Sequence, residues 1–197
     1  LHFIKKWERR DKANMISIKF YGLGGQGVVT AGKIFSEAIS LYEDKYAITV
    51  PAYGHERRGA PVNTSIIVDE KPVLINSFVY HPDIVLVMDS TIIDKDIDIS
   101  QGIHENSILV LNTEDVNVVN MYKKYNFKEI YYVDGTQIAL NNTGRGIPNG
   151  SMLGAIAGTG LLTIESIEKA IIESFGEKAG EKNAKAAREA FERIKKM

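Results

Sequence analysis

The chain has 197 residues, 44% of them apolar and 25% charged, with 24 basic against 25 acidic side chains and a formal net charge of -1. That length suffices for one domain with its own core, and the even balance gives no chain-wide attraction for nucleic acid or an anionic membrane. No apolar run reaches the roughly 18 residues of a membrane span and no secretory leader opens the sequence, so a cytoplasmic location is expected. Cysteine is absent, which excludes disulfides and removes the usual ligands of structural zinc and of iron–sulfur clusters. His2, His55, His81 and His104 lie too far apart for a helical metal-binding pair and no HExxH occurs, so no metal site is expected.

The first fourteen residues, LHFIKKWERRDKAN, are charged and without period, and read as a leader or a disordered arm. From Met15, MISIKFYG puts Ile16, Ile18 and Phe20 on one pleat face and breaks at Gly22, a strand running into a turn. The loop GLGGQG follows. Val28, Ala31, Phe35, Ala38 and Tyr42 then recur at helical spacing. YAITV at 46–50 reads as a second strand stopped by Pro51. VNTSIIV at 62–68 reads as a third, turned by DEK into PVLI at 72–75 as an antiparallel hairpin. DIVLVM (83–88) and SILVLN (107–112) are near-continuous apolar runs, as in strands covered on both faces, and EIYYVD (129–134) is a further strand. Between the first two of these, IIDKDIDIS reads as an acid-rich linker with a helical turn.

The tail reads as helical. Gly150, Gly154 and Gly158 recur every fourth residue and give one helix face that another backbone can approach, with packing on the chain's own sheet favoured over a subunit contact. Ile164, Ile167, Ile171 and Phe175 make an amphipathic helix ended by Gly176, and a last helix over 178–195 carries Ala187, Ala190, Phe191 and Ile194 on one face. Glu181–Lys185, Glu189–Arg193 and Glu192–Lys196 are spaced on it as pairs four apart. The alternation predicts an α/β chain: a doubly wound, mostly parallel sheet with a Rossmann-like start, an antiparallel hairpin element and a helical C-terminus. Residues 15–197 read as a single domain.

Ligands of such sheets bind beyond the carboxyl ends of the strands, where two informative loops fall. Gly22, Gly24 and Gly27 satisfy GxGxxG between a strand and a helix, a context in which free N–H groups and the helix dipole hold a pyrophosphate. The alternative is close strand–helix packing. A nicotinamide site also wants an acid ending the second strand, and that end reads Val50-Pro51-Ala52. Gln26 adds an amide that packing alone does not require. In the second loop, Tyr53-Gly54-His55-Glu56-Arg57-Arg58-Gly59-Ala60-Pro61 places an aromatic, a carboxylate and two guanidiniums together. Guanidinium suits bidentate recognition of phosphate or carboxylate, against the plainer reading of a solvated loop pairing its own charges.

GxGGQG after the first strand, YGxExRGxPV after the second and GRxIPN…MLGA near residue 150 together resemble the gamma subunit of pyruvate and related 2-oxoacid:ferredoxin oxidoreductases. The resemblance runs from about Met15 through Ile172. It implies a non-catalytic component of a complex, with alpha, beta and delta subunits or fused equivalents, that converts a 2-oxoacid and coenzyme A to acyl-CoA and CO2 and reduces ferredoxin. Thiamine diphosphate, Mg2+ and iron–sulfur clusters would lie on the other subunits. By this resemblance Gly22, Gly24, Gly25, Gln26 and Gly27 match the first motif, Tyr53, Gly54, Glu56, Arg57, Gly59 and Pro61 the second, and Asn149 the third. His55 stands where relatives commonly have proline, and Ala60-Pro61 looks more like pyruvate-type than 2-oxoglutarate-type members.

Coenzyme A carries a pyrophosphate and a 3′-phosphate, so Gly22, Gly24, Gly25, Gln26, Gly27, Arg57 and Arg58 are its candidate contacts. Tyr53, Glu56 and Asn149 are candidates for a subunit interface or the substrate path. No nucleophile–base pair occurs in these motifs, and no catalytic residue is assigned. The alternatives are a stand-alone nucleotide-binding module and a nicotinamide or flavin oxidoreductase.

Overall fold

The computed structural model describes residues 15–52, 58–95 and 97–197, so the arm expected at 1–14 lies outside the described residues. β1 (Ile16–Leu23) turns Ile18 and Phe20 to one face and Lys19 and Tyr21 to the other, because successive side chains of a strand alternate. α1 (Val28–Tyr42) lays Val28, Ala31, Phe35 and Ala38 on the first face, with Phe35 edge-on to Phe20 at 5.7 Å. The chain continues through β2 (Tyr46–Ala52), β3 (Pro61–Asp69), β4 (Ile84–Val87), a 3-10 turn (Ser90–Asp94) and β5 (Ile108–Asn112). It then passes α2 (Val116–Tyr122), β6 (Glu129–Val133), α3 (Gly135–Thr143), α4 (Asn149–Ala157), α5 (Ile164–Phe175), α6 (Glu177–Arg193) and β7 (Lys195–Lys196).

The seven strands form one sheet in the order β2-β3-β1-β4-β5-β6-β7. β1, β4, β5 and β6 pair in parallel, while β3 is antiparallel to both β1 and β2, and β7 to β6. The mostly parallel α/β fold with a helical C-terminus is therefore as the sequence predicts. One face is covered by α1, α4, α5 and α6. The other is covered at β4, β5 and β6 by α2 and the 90–103 segment. Among the described residues no helix is long and apolar enough to cross a membrane.

Several expectations are corrected. The antiparallel hairpin is β2–β3, with Ile48 opposite Ile67, and residues 72–79 carry no strand: β3 already has β2 and β1 on its two edges and has no free edge for them. Pro51 does not stop β2, since an edge strand tolerates the missing donor and Pro51 pairs opposite Thr64. The glycine face of α4 meets α6 rather than the sheet, with Gly154 against the backbone of Ala187 and Gly150 against Asn183.

The last helix also ends early. Ile194 leaves helical geometry at ψ 132°, and Lys195 and Lys196 pair with Tyr132 and Tyr131. Lys196 accordingly meets Glu129 at 3.0 Å instead of Glu192, while Glu189 and Arg193 do close their pair at 2.8 Å. The sequence reading passed over α2 and α3; Asp115 and Asp134 cap them by accepting N–H bonds from Asn117 and Gln137.

Candidate functional site

The glycine loop leaves the carboxyl end of β1 and enters α1 through Gly27, whose φ of 74° is the left-handed conformation that favours glycine. Gly22 is pinched: a Cβ there would lie 2.7 Å from Val28 Cγ2 and 3.2 Å from Met88 Cβ. Gln26 works inside the loop. Its Oε1 accepts the Leu23 N–H at 2.8 Å and its Nε2 donates to Asp89 Oδ2 at 2.6 Å. The turn thus does use the amide, and it is clamped to the end of β4. Asp89 is held further by the Thr91 N–H and hydroxyl on Oδ1, at 3.0 and 2.6 Å. The N–H groups of Gly25, Gly27 and Val28 meet no acceptor among the described residues, and they open the positive end of the α1 dipole.

The second motif reaches this loop because β3 lies between β2 and β1. In a dinucleotide fold the second strand flanks the first and presents its ribose-binding acid there. Here the position beside the β1 terminus belongs to the incoming end of β3, with Leu23 in register with Pro61. The two loops are stitched together: Gly24 N–H donates to the Ala60 carbonyl at 2.7 Å and Gly59 N–H to the Gly24 carbonyl at 3.1 Å. Arg58 is exposed, and its Cγ lies 3.8 Å from where a Gly25 Cβ would stand. Tyr53, Gly54, His55, Glu56 and Arg57 lie outside the described residues.

The third motif arrives from the other side. Asn149, the first residue of α4, is buried and packs on Gly27, where a Cβ would stand 2.5 Å from its Nδ2. Its Oδ1 accepts the Gly150 N–H at 2.9 Å. Gly22, Gly24, Gly25, Gln26, Gly27, Arg58 and Asn149, far apart in sequence, thus share one end of the sheet.

The sequence reading missed two polar residues that hold this end together, Asp89 and Asn112. Asn112 is buried at the end of β5, where Nδ2 donates to the Met88 carbonyl at 2.7 Å and to Thr136 Oγ1 at 2.8 Å. Its Oδ1 accepts the N–H groups of Gly135 and Thr136 at 2.8 and 3.3 Å. Asn112→Ala orphans these partners and is expected to cost about 2 kcal/mol of stability, measured by denaturant unfolding. The available signal was weak: a single polar residue ending an apolar strand.

A family model for pyruvate ferredoxin/flavodoxin oxidoreductase matches residues 17–193. The chain belongs to that family. A family member from Pyrococcus abyssi, the common subunit gamma of pyruvate/ketoisovalerate oxidoreductases, is 46% identical over 181 residues, covering 91% of this chain and 97% of the relative. The pyruvate synthase subunit PorC of Methanothermobacter marburgensis is 44% identical over 183 residues, covering 92% and 98%. The crystal structure of the pyruvate oxidoreductase subunit PORC from Thermotoga maritima superposes with a TM-score of 0.80 at 34% identity, covering 94% of this chain and 99% of that one. The same fold recurs at 16% identity and a TM-score of 0.65 in a 2-oxoglutarate:ferredoxin oxidoreductase from Magnetococcus marinus. There it matches 92% of this chain but only 30% of a longer one.

Proposed function

We propose that this chain, with residues 15–197 as one Rossmann-like domain, is the gamma subunit of a cytoplasmic, pyruvate-type 2-oxoacid:ferredoxin oxidoreductase. Its place there is to help assemble the complex and to dock coenzyme A. The reaction cleaves the bond between the carboxylate and the carbonyl carbon of the 2-oxoacid, joins the acyl group to the coenzyme A sulfur and passes the electrons released to ferredoxin. Thiamine diphosphate supplies the decarboxylation chemistry when bound. Cysteine, the usual ligand of iron–sulfur clusters, is absent from the chain, and no group of three metal-binding side chains occurs among the described residues. In the gamma-subunit reading those cofactors and Mg2+ belong to the alpha, beta and delta subunits or their fused equivalents.

The observation that carries the coenzyme A role is the meeting of three motifs around the N-terminus of α1. The open N–H groups of Gly25, Gly27 and Val28 suit one phosphate, and Arg58, with Arg57 beside it in sequence, suits a second. Gln26 and Asn149 keep the loop in shape. No catalytic residue is assigned to this chain. The similar gamma and PorC subunits of pyruvate/ketoisovalerate oxidoreductases and of pyruvate synthase support the choice of substrate class.

The test is steady-state kinetics of the assembled complex carrying Arg57→Ala or Arg58→Ala. Each loses charge-assisted hydrogen bonds worth about 1.5–3 kcal/mol, so KM for coenzyme A should rise about 10- to 100-fold. The KM for pyruvate and kcat at saturating coenzyme A should hold. An unchanged KM for coenzyme A in an intact complex would refute the docking role. Thermal stabilisation of the isolated chain by adenine nucleotides, without any complex in its native cells, would favour a stand-alone nucleotide-binding module.

A further inference from the structure

The two faces of the sheet are covered unequally. On the face away from α1, the strands β4, β5 and β6 carry α2 and the 90–103 segment, but β3 and β2 carry no helix. Ile67 and Ser65 of β3 point to this face, with Ile48 and Val50 of β2 opposite them in register and Lys19 of β1 on the other side of Ser65. Ile48 and Val50 remain half-buried. The covering that exists is an extended strap. The Val79 N–H donates to Ser65 Oγ at 3.0 Å, and the far end is anchored where a Gly102 Cβ would meet the Tyr80 carbonyl at 1.7 Å.

The strap buries Val79 and turns other apolar side chains outward: Leu74 is 91% exposed, Ile75 54%, Phe78 44% and Tyr80 66%. Four large apolar side chains exposed within seven residues exceed the scatter normal for a surface. Where the strap is fixed by Val79 on Ser65, Lys19 stands opposite Ser65 in register, half-buried over the Tyr21 ring at 5.3 Å, with no carboxylate partner among the described residues. Burial alone pulls its pKa below the ordinary lysine value. A cation partly stripped of water, and with no counter-charge among the described residues, is complementary to an acidic side chain brought from outside.

We propose that this strap-covered face of β3 and β2 is where a neighbouring subunit of the oxidoreductase docks, packing apolar side chains on Leu74, Ile75 and Phe78 and placing a carboxylate at Lys19. The occupant follows from three observations: relatives of this chain are named as subunits of larger enzymes, the fold also occurs as 30% of a longer chain, and the apolar patch lies near a cation without a carboxylate partner among the described residues. The inference rests on the gamma-subunit reading and adds its docking surface.

The experiment is co-expression of the full chain with the other subunits of its oxidoreductase, followed by native mass spectrometry of the purified complex. Leu74→Asp/Ile75→Asp should lower occupancy of this subunit about tenfold or more, as loss of central apolar anchors does. Lys19→Glu should lower it as well. The isolated Leu74→Asp/Ile75→Asp chain should melt within about 2 °C of wild type, since both side chains are exposed. Leu41→Asp, at the exposed end of α1, should leave occupancy unchanged. Full occupancy of the double variant overturns the proposal. So does an isolated wild-type dimer that the same variant disperses, because the occupant is then a second copy. Failure of the wild type to join any such complex overturns the gamma-subunit reading itself.

Discussion

Gly154→Ala is expected to lower the free energy of unfolding by about 3 kcal/mol, a large loss for one methyl group. The added Cβ would stand 1.8 Å from the Ala187 carbonyl oxygen and 2.7 Å from its Cα. These are backbone atoms, so no side-chain rotation relieves the overlap, and α4 and α6 must move apart. The helix gains about 1 kcal/mol of propensity from the exchange, which does not offset the overlap. Gly144→Ala is the control: Gly144 has a φ of 74° but nothing within 4 Å of an added Cβ, so backbone strain of about 1 kcal/mol is its whole cost. Denaturant midpoints at unchanged m value measure both. Equal losses for the two variants would show that the glycine face of α4 is not what admits α6.

Gly27→Ala should cost about 2–3 kcal/mol and weaken coenzyme A binding at the same time. About 1 kcal/mol comes from the left-handed φ of 74°, and the rest from overlap with Asn149, whose Nδ2 and Cγ would lie 2.5 and 3.0 Å from the new methyl. The two parts separate in a double-mutant cycle. Adding Asn149→Ala to Gly27→Ala should relieve the overlap with Nδ2 and Cγ, though the Asn149 Cβ remains 3.1 Å from the new methyl, and leave the strain, giving a coupling of about 1 kcal/mol. In the assembled enzyme Gly27→Ala should raise KM for coenzyme A more than KM for pyruvate, because the loop moves while no reacting group does. Strictly additive losses would mean that Asn149 and the glycine loop do not bear on one another.

Much of the fold is legible residue by residue. Ile18 and Phe20 alternate, Val28, Ala31, Phe35 and Ala38 recur at helical spacing, and 84–87 is apolar throughout; the structure places each in the strand or helix so implied. The unread parts lack such periods. α2 begins at an Asp cap with only Val119 and Tyr122 buried, and β7 is two lysines that pair only because β6 offers an edge. The 72–75 run misled for an instructive reason: Val73, Leu74 and Ile75 have the composition of a strand, but pairing depends on a free neighbouring edge, which no local pattern reports.

The candidate site divides in the same way. The amino-acid sequence by itself determined the chemistry available: a glycine turn before a helix, guanidiniums in a loop after the second strand, a GRGIPN segment near residue 149, and no thiol anywhere. Those properties are local or compositional, set by backbone freedom and side-chain charge within a few residues. Only the tertiary structure decided that these parts meet, by inserting antiparallel β3 between β2 and β1 and by seating Asn149 in the space a Gly27 side chain would fill. It also decided that Gln26 is spent on Leu23 and Asp89, and that an apolar strap rather than a helix covers β3. Contacts between residues many positions apart depend on strand order and helix spacing, which arise from packing of the whole chain and are absent from any short stretch of it.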